Sequence, residues 1–425
     1  MSESKPQSLR ELMKGNILVL TVSRVIWSLS NSVVFTYLPL YIIALGGDTP
    51  TIGNINALAS IVGMMLYPVG GYLADKAGRA KLVGIATFLY ASSFILFMFA
   101  PTWEWLAVGR AYQTMVLFYM PALNAIMADS IPVGARGKIL SLTMVIPEAV
   151  RILSPFIGGW LIESYTLIPA MKIGYTLSLF TSLIVAVMRI KYLKETITTG
   201  EPIGRDIVGI FRESYSNTFS SIRWIFTELR GYVLIALLLT LVNSIVQPFW
   251  VLYAKQEVLL TEYEWGQVLL VAGVAKTVLS LFIGTMVDRL GTRKCMMIGL
   301  FVAAPTMILF TMAGGFYHVV AVYFVLVIAN AFLWISSNVL LADSIPRSTR
   351  GRVMASMGQG IGVGISGGGY ARGFLLFIPA TIGSMLGGYI YDYNATYPWL
   401  IQSFVLLICV GFTYMLVKEP EKAQA

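Results

Sequence analysis

Long apolar runs alternate with short polar stretches along the whole chain of 425 residues. A helix needs about 20 mostly apolar residues to cross the hydrocarbon core of a bilayer. Twelve runs approach that length, and we number them spans 1 to 12. They cover residues 17–43, 52–73, 82–100, 104–127, 139–162, 170–190, 231–254, 265–287, 295–313, 317–341, 370–391 and 397–417. The pattern predicts an all-α membrane protein with twelve transmembrane helices.

The spans fall into two sets of six, separated by a polar stretch at residues 191–230. We therefore expect an N-terminal six-helix bundle over residues 1–190, a central cytoplasmic linker over residues 191–230, and a C-terminal six-helix bundle over residues 231–425. Part of the linker, around residues 207–226, is a candidate for a helix that lies on the membrane surface.

Two phrases of the sequence occur twice at nearly one offset. GYLADKAGRAK at residues 71–81 returns as GTMVDRLGTRK at 284–294, 213 residues later, and ADSIP at 128–132 returns at 342–346, 214 residues later. An internal repeat of this length indicates two copies of one domain rather than a solenoid.

Basic residues are concentrated in every second loop. The tails, alternate loops and linker hold 23 Lys and Arg residues, whereas the opposite loops hold one clear cation, Lys255, and seven carboxylates. We call these two faces the basic side and the acidic side. Because cytoplasmic loops carry excess Lys and Arg, both termini are predicted to be cytoplasmic in a multi-pass protein of the cell (plasma or inner) membrane. Both copies then face the same way, as in a parallel repeat about an axis along the membrane normal.

The composition excludes several classes of protein. Hydrophobic residues make up 57% of the chain and charged residues 12%, about half the charge usual in a soluble domain. Two distant cysteines and a single histidine, His318, form neither a disulfide framework nor a zinc pattern. We expect no metal, no cofactor and no nucleic-acid partner. We also expect no enzyme, because no catalytic constellation is present.

The loop GGYLADKAGRAK between spans 2 and 3 resembles the signature loop of the major facilitator superfamily. Its second copy lies between spans 8 and 9, where that family also has a second copy. The resemblance covers the whole chain. It implies two six-helix bundles related by a pseudo-two-fold axis, and a secondary transporter that works by alternating access.

In that family the repeated motif latches the two halves in the outward-open state. The corresponding residues here are Gly71, Asp75, Gly78, Arg79, Lys81 and Asp129 in the first half, and Gly284, Asp288, Gly291, Lys294 and Asp343 in the second. Gly71 and Gly284 are expected to let another helix approach closely, and Arg79 is expected to pair with Asp129. In the second half Thr292 replaces the expected arginine, and Arg293 is the alternative. A loop that only fixes topology is the competing interpretation.

Charged residues within the predicted spans are expensive in a bilayer, at roughly 3 kcal/mol for each central charge. The candidates for such intramembrane cations are Arg24, Arg110, Arg151, Lys172, Lys276 and Arg372. Lys172 and Arg372 lie near span ends and are expected to snorkel to water.

The deep carboxylate is Glu148, three residues before Arg151 and a candidate partner for Arg110 as well. It is either a proton-coupling group or part of a structural ion pair. The surplus of cations favours an anionic solute in a central cavity, unless neighbouring groups neutralise it.

Polar and aromatic residues recur at helical spacing on spans 1, 7 and 10, which in the resembled family line the central cavity. The candidate residues for solute binding or coupling are Arg24, Asn31, Arg110, Glu148, Arg151, Asn243, Gln247, Lys276 and Trp334. Interhelical hydrogen bonding is the alternative for the asparagines.

The second copy carries 15 extra residues, which correspond to a glycine-rich segment at residues 358–373. It is either a cytoplasmic extension or a broken start to span 11.

The sequence thus predicts a monomeric secondary transporter in the lipid bilayer that moves a small organic solute, leaning anionic, coupled to protons or another ion. The alternatives are a multidrug efflux antiporter of the same fold and, from another class, a membrane nutrient sensor or passive facilitator.

Overall fold

The structure is a computed structural model. It describes residues 13–76, 78–131, 136–196, 207–345, 357–358, 360–364 and 373–419. Their side chains are described except at residues 74–76, 136–138, 140–141, 207–208 and 217–221.

Helices occupy the positions of all twelve predicted spans. They are Gly15–Phe35 with Leu38–Ala44, Thr49–Lys76, Arg79–Met98, Trp103–Val116 with Met120–Ser130, Arg136–Arg151 with Ser154–Tyr165, Leu167–Tyr192, Arg230–Val246 with Trp250–Gln256, Glu262–Leu290, Thr292–Thr311, Phe316–Ser344, Phe377–Tyr393 and Tyr397–Leu416. Eleven helices of the described residues are long and apolar enough to cross a membrane. Span 4 is not among them, because polar residues such as Arg110 and Gln113 lower its hydropathy.

Four spans are interrupted, and each interruption precedes a proline. Pro39, Pro121, Pro155 and Pro248 stand at the start of the helix or 3₁₀ turn that follows a break in spans 1, 4, 5 and 7. Proline is accepted there because a first-turn residue needs no backbone N–H donor, whereas further inside a helix it removes a hydrogen bond. These spans consequently bend within the bundle.

The helices pack as two matching bundles. In the first, spans 1 and 5, 1 and 6, 2 and 4, 3 and 4, and 3 and 6 are neighbours; in the second, spans 7 and 11, 7 and 12, 8 and 10, 9 and 10, and 9 and 12 are neighbours. Adding six to each number of the first set produces the second. The bundles meet where span 2 packs against span 11 and span 5 against span 8. The repeat seen in the sequence is therefore also a repeat of packing.

Glycines bring the two bundles together along these seams. A Cβ atom at Gly388 of span 11 would lie 2.7 Å from the Thr49 carbonyl oxygen of span 2. A Cβ atom at Gly266 of span 8 would lie 2.7 Å from the Pro155 carbonyl oxygen of span 5. Backbones approach this closely only where a residue lacks a side chain, as is common between membrane helices.

Hydrogen bonds join the bundles on the acidic side. The buried hydroxyl of Tyr37 donates to the carbonyl oxygens of Pro155, at 2.6 Å, and of Glu262 in the other bundle, at 3.0 Å. Thr49 donates to the carboxylate of Asp392 across the second seam, at 2.7 Å. The acidic side of the molecule is thus closed by contacts between the halves.

The basic side lacks equally close contacts at the repeated glycines. Among the described residues nothing lies within 4 Å of a Cβ atom placed at Gly71 or Gly284, so the expected close helix approach is absent from this conformation. The close approach in this region occurs one residue earlier, where Gly70 lies against the backbone of Phe118. This contact is within the first half, between spans 2 and 4.

The predicted linker helix is formed and spans Ile207–Glu228. It packs against span 2, where the Tyr215 hydroxyl donates to the carbonyl oxygens of Met64 and Met65 at 3.3 and 3.0 Å. The Tyr215 ring also meets the Phe374 ring edge-on, with centroids 5.8 Å apart. The helix therefore contacts the seam between the two halves.

Candidate solute-binding and coupling site

Three charged side chains meet at the seam of spans 5 and 8. Arg151 donates to both carboxylate oxygens of Glu148, at 2.6 and 2.7 Å, and the Lys276 ammonium lies 3.7 Å from the same carboxylate. These side chains are 29%, 39% and 34% exposed in the order Arg151, Glu148, Lys276, so the cluster borders open space between the halves. One carboxylate faces two cations, which leaves the cluster with one positive charge.

Local sequence explains why these groups converge. Glu148 and Arg151 are three residues apart near the end of Arg136–Arg151, so they share a helix face. Gly273 lies one turn before Lys276, and a Cβ atom there would be 2.8 Å from the Ile152 side chain. This glycine lets span 8 approach span 5 closely enough for Lys276 to reach across the seam.

Two of the predicted cations lie in other places. Arg24 donates to the side-chain oxygen of Asn124 in span 4, at 3.3 Å. Arg110 is buried, donates to Gln113 at 3.0 Å, and stacks 5.1 Å above the Phe35 ring. The partners of Glu148 are Arg151 and Lys276, so the expectation that Arg110 pairs with it is not met.

Asn31 serves contacts within the first half. It is 1% exposed, its amide donates to the Trp27 carbonyl oxygen at 3.1 Å, and its side-chain oxygen lies 3.3 Å from the Tyr90 hydroxyl of span 3. Both polar ends of this side chain are thus occupied by protein groups.

Three candidates of the second half lie around a non-helical stretch of chain, residues 360–364. Asn243 donates to the Gly362 carbonyl oxygen at 2.7 Å and accepts from the Gly364 N–H at 3.0 Å. Trp334 is 39% exposed and lies beside Gly362. Gln247 begins the 3₁₀ turn of span 7 and is half-buried. Residues 365–372 of the glycine-rich segment, with Arg372, lie outside the described residues.

The latch residues of the first half are partly assembled. Arg79 forms an ion pair with Asp129, the partner that the family resemblance implies. Gly78 has a φ of +81°, and its counterpart Gly291 has +88°, so both repeated glycines occupy backbone conformations that favour glycine. The side chain of Asp75 lies outside the described residues. The remaining charged latch residues, Lys81, Asp288, Lys294 and Asp343, are exposed on the basic side.

In the second half, Arg293 does not replace the missing arginine. Its guanidinium donates to the Tyr414 carbonyl oxygen and lies 4.9 Å above the Tyr414 ring, so it is directed to span 12 instead of Asp343. Thr292, which stands at the arginine position, donates its hydroxyl to Glu419 at 2.8 Å.

Sequence reasoning missed a pair of carboxylates, Glu195 and Glu419. Glu195 accepts from the Ala80 N–H at the start of span 3, at 3.0 Å, and Glu419 accepts from the N–H groups of Thr292 and Arg293 at the start of span 9, at 3.2 and 2.7 Å. Carboxylates are favourable at helix N-termini, where backbone donors lack partners. The sequence did contain a signal for them, because each glutamate directly follows a lysine after the last span of its half.

Sequence reasoning also missed Arg189 as a charge within a span. The structure buries it near the end of span 6, where it donates to Thr87 at 2.8 Å and lies 5.9 Å from the centre of the Tyr119 ring. It holds spans 3, 4 and 6 together and lies within the first half, as Arg24 and Arg110 do.

Comparison with known proteins agrees with this architecture. The chain is 24% identical, over 68% of its length and 70% of the relative's, to the multi-drug resistance efflux pump PmrA homolog of Lactococcus lactis subsp. lactis. It is 22% identical to multidrug resistance protein 2 of Bacillus subtilis over 88% of each chain. The crystal structure of the nucleoside transporter NupG superposes with a TM-score of 0.69, at 14% identity, over 96% of this chain and 100% of that one. The family model of the Major Facilitator Superfamily matches residues 20–227 and 232–425, and the chain belongs to that family of transporters.

Proposed function

We propose that this protein is a proton-coupled transporter of small organic solutes that carry an anionic group, with Glu148 as the proton-binding residue. The observation that carries the proposal is the bridge from Glu148 to Arg151 on its own span and to Lys276 on the other half. We further propose that the protein acts as a monomer in the cell membrane, with both termini in the cytoplasm.

The chemistry of the cluster supports coupling. While Glu148 is ionised it neutralises one of its two neighbouring cations and links span 5 to span 8. Protonation removes that link and leaves Arg151 and Lys276 without a counter-ion beside open space. A carboxylate or phosphate of the solute then takes the place of Glu148, because opposite charges within a few ångströms stabilise each other.

This arrangement predicts the direction of coupling. Binding of a proton at Glu148 frees the cations for the anionic solute, so each ligand must strengthen the binding of the other by the same factor. Two ligands that favour each other's binding move together, which makes the proposed mode symport. Arg24 and Arg110 contribute less to the site, since both have partners within the first half.

A second candidate function is proton-coupled drug efflux, and it is favoured by the relatives, which are named as multidrug efflux or resistance proteins. In antiport, protonation must weaken solute binding, which is the opposite of the first proposal. The pH dependence of solute affinity therefore separates the two.

The test measures thermal stabilisation of the purified protein by organic anions and by lipophilic cations, at neutral and at mildly acidic pH. The proposal expects anion affinity to rise as the pH falls. Stabilisation by cations alone, weakening as the pH falls, would replace the first proposal with drug efflux.

A variant tests the role of Glu148. Glu148→Gln, which mimics the protonated form, is expected to bind anions independently of pH and to perform solute counterflow in proteoliposomes, but not to accumulate solute under a proton gradient. Glu163→Gln, at an exposed carboxylate of the same span, is the matched control and should behave as wild type. Normal proton-driven accumulation by Glu148→Gln would exclude Glu148 as the coupling residue.

A further inference from the structure

Residues 360–364 run without regular secondary structure inside the second bundle, between spans 7 and 10. Ser337 of span 10 exchanges two hydrogen bonds with the backbone of Ile361, each 3.0 Å long. Asn330, two turns earlier in span 10, accepts from the Val363 N–H at 2.9 Å. We call residues 360–364 the inner segment.

Span 7 holds the far end of the inner segment. Asn243 binds both Gly362 and Gly364, and the Trp250 indole donates to the Gly364 carbonyl oxygen at 2.9 Å. Non-helical backbone is tolerated at membrane depth only where protein or a water-filled cavity satisfies its polar groups. The side chains of Asn243, Trp250, Asn330 and Ser337 perform that task here, and we call these four residues the clamp.

The inner segment reaches the middle of the bundle. Asn243 and Asn330 each lie 13 or 14 residues from the first residue of their helix, about 20 Å at 1.5 Å per residue. The chain leaves span 10 at Ser344 on the basic side and begins the helical part of span 11 with the turn Phe374–Leu376. The segment therefore enters the bundle from the basic side and ends at mid-depth. It lies within the glycine-rich segment that corresponds to the 15 extra residues of the second copy.

The clamp residues bind the backbone of the inner segment through polar groups, whereas the side chains of the segment are apolar. Ile361 and Val363 are buried at 5% and 2% exposure, whereas the glycines that alternate with them are half-buried. Asn243 also accepts from Gln402, and Ser337 also donates to the Trp334 carbonyl oxygen, whereas the Trp250 indole N–H and the Asn330 side-chain oxygen are paired with the segment. Unpaired buried polar groups are costly, so a departing segment must be replaced at Trp250 and Asn330 by water or by a solute. Occupation of the clamp by the segment and by a solute is thus mutually exclusive.

We propose that the inner segment is a displaceable gate, which occupies the polar groups of spans 7 and 10 in this conformation and exposes them to solute when it withdraws. The solute part of this inference rests on the proposed function. A protein whose binding-competent state is only partly populated binds its ligand more weakly by that fraction. Loosening the gate must therefore tighten solute binding.

Two glycines of the segment provide a matched pair of variants. A Cβ atom at Gly362 would lie 2.6 Å from the side-chain oxygen of Asn330, so Gly362→Ala must shift either the segment or the Asn330 side chain that holds Val363, and both loosen the clamp. A Cβ atom at Gly364 would meet nothing closer than 3.7 Å, so Gly364→Ala leaves it in place. Ser337→Ala removes two hydrogen bonds of the clamp without adding volume and provides a second, independent way to loosen the gate.

Hydrogen–deuterium exchange on the full-length protein without solute tests the position of the gate. We expect the amides of Ile361, Val363 and Gly364 to exchange slowly in wild type and in Gly364→Ala, and faster in Gly362→Ala and Ser337→Ala. Unchanged exchange in spans 9 and 12 serves as the check that the variants are folded. Equal exchange of these amides in all four proteins would overturn the gate.

The affinity for organic anions, measured by thermal stabilisation, tests whether the gate competes with solute. We expect Gly362→Ala to bind anions about tenfold more tightly than Gly364→Ala, which corresponds to ~1.4 kcal/mol. Faster exchange with equal affinity would show that the segment does not compete with solute and would overturn the proposal. Faster exchange with no anion bound by any of the proteins would support a displaceable segment while overturning the proposed function.

Discussion

The glycine seam between spans 2 and 11 provides the sharpest test of alternating access in this protein. Replacing Gly388 by alanine places a methyl group 2.7 Å from the Thr49 carbonyl oxygen and 2.8 Å from the Pro50 Cα atom. Ordinary contacts of a Cβ atom begin at about 3.4 Å. Both neighbours are backbone atoms, so no side chain can rotate away, and the two spans have to separate on the acidic side.

The magnitude follows from this overlap. Inserting a methyl group into a packed contact costs typically 1–3 kcal/mol. The cost applies only to the conformation in which the acidic side is closed, because the same methyl group faces open space once the halves part there. The equilibrium between the two conformations should shift about 5- to 150-fold towards the state that is open on the acidic side.

Distances between spin labels on the two halves measure this shift. Phe99 and Tyr393 are exposed near the acidic ends of spans 3 and 11, and they accept labels after Cys295 and Cys409 have been replaced. We expect Gly388→Ala to show longer distances between the two labels than the labelled protein that keeps Gly388. Gly411→Ala is the control, since no atom lies within 4 Å of its added methyl group. Identical distance distributions in the two variants, with thermal stability preserved, would refute the argument that the seam closes this side.

Three further substitutions probe single contacts. Tyr37→Phe removes the hydrogen bonds to the Pro155 and Glu262 carbonyl oxygens and should favour opening of the acidic side by about 1–2 kcal/mol, seen as longer distances between the same labels. Glu419→Ala removes the N-terminal cap of span 9 and should cost about 0.5–2 kcal/mol, seen as a lower midpoint of thermal unfolding. Asn16→Ala removes the side chain that accepts from the Lys194 N–H and should lower that midpoint by an equivalent of about 0.5–1.5 kcal/mol.

Much of the fold was predictable from the sequence. Apolar runs long enough to cross a bilayer, repeated phrases and the placement of basic loops each depend on local composition, and together they indicated two bundles of six helices. The breaks within spans 1, 4, 5 and 7 were not predicted, because a hydropathy pattern is insensitive to a single turn. The prolines that start the second pieces, such as Pro121 and Pro248, were the available signal.

The candidate site was predictable only where contacts are local. Glu148 and Arg151 pair as their spacing of three residues indicated, since neighbours on one helix face are fixed by helix geometry. The direction of Arg110 depends on the rotation of span 4 within the bundle, and that rotation places its guanidinium over the Phe35 ring of span 1. Asn243 binds a backbone segment that lies 119 residues away in the chain, and no local pattern encodes such a pairing.

The two copies of the repeat differ in how each basic-side junction is held, and this difference bears on the gate. In the first half the Arg79–Asp129 ion pair joins the start of span 3 to span 4, in addition to the cap from Glu195. In the second half the cap from Glu419 is kept, but Arg293 is turned towards span 12, and within the described residues Asp343 of span 10 has no ion-pair partner. Span 10 carries half of the clamp and leads directly towards the inner segment. The ion pair that joins the start of span 3 to span 4 therefore has no counterpart among the described residues of the second half, which is the copy that contains the inner segment.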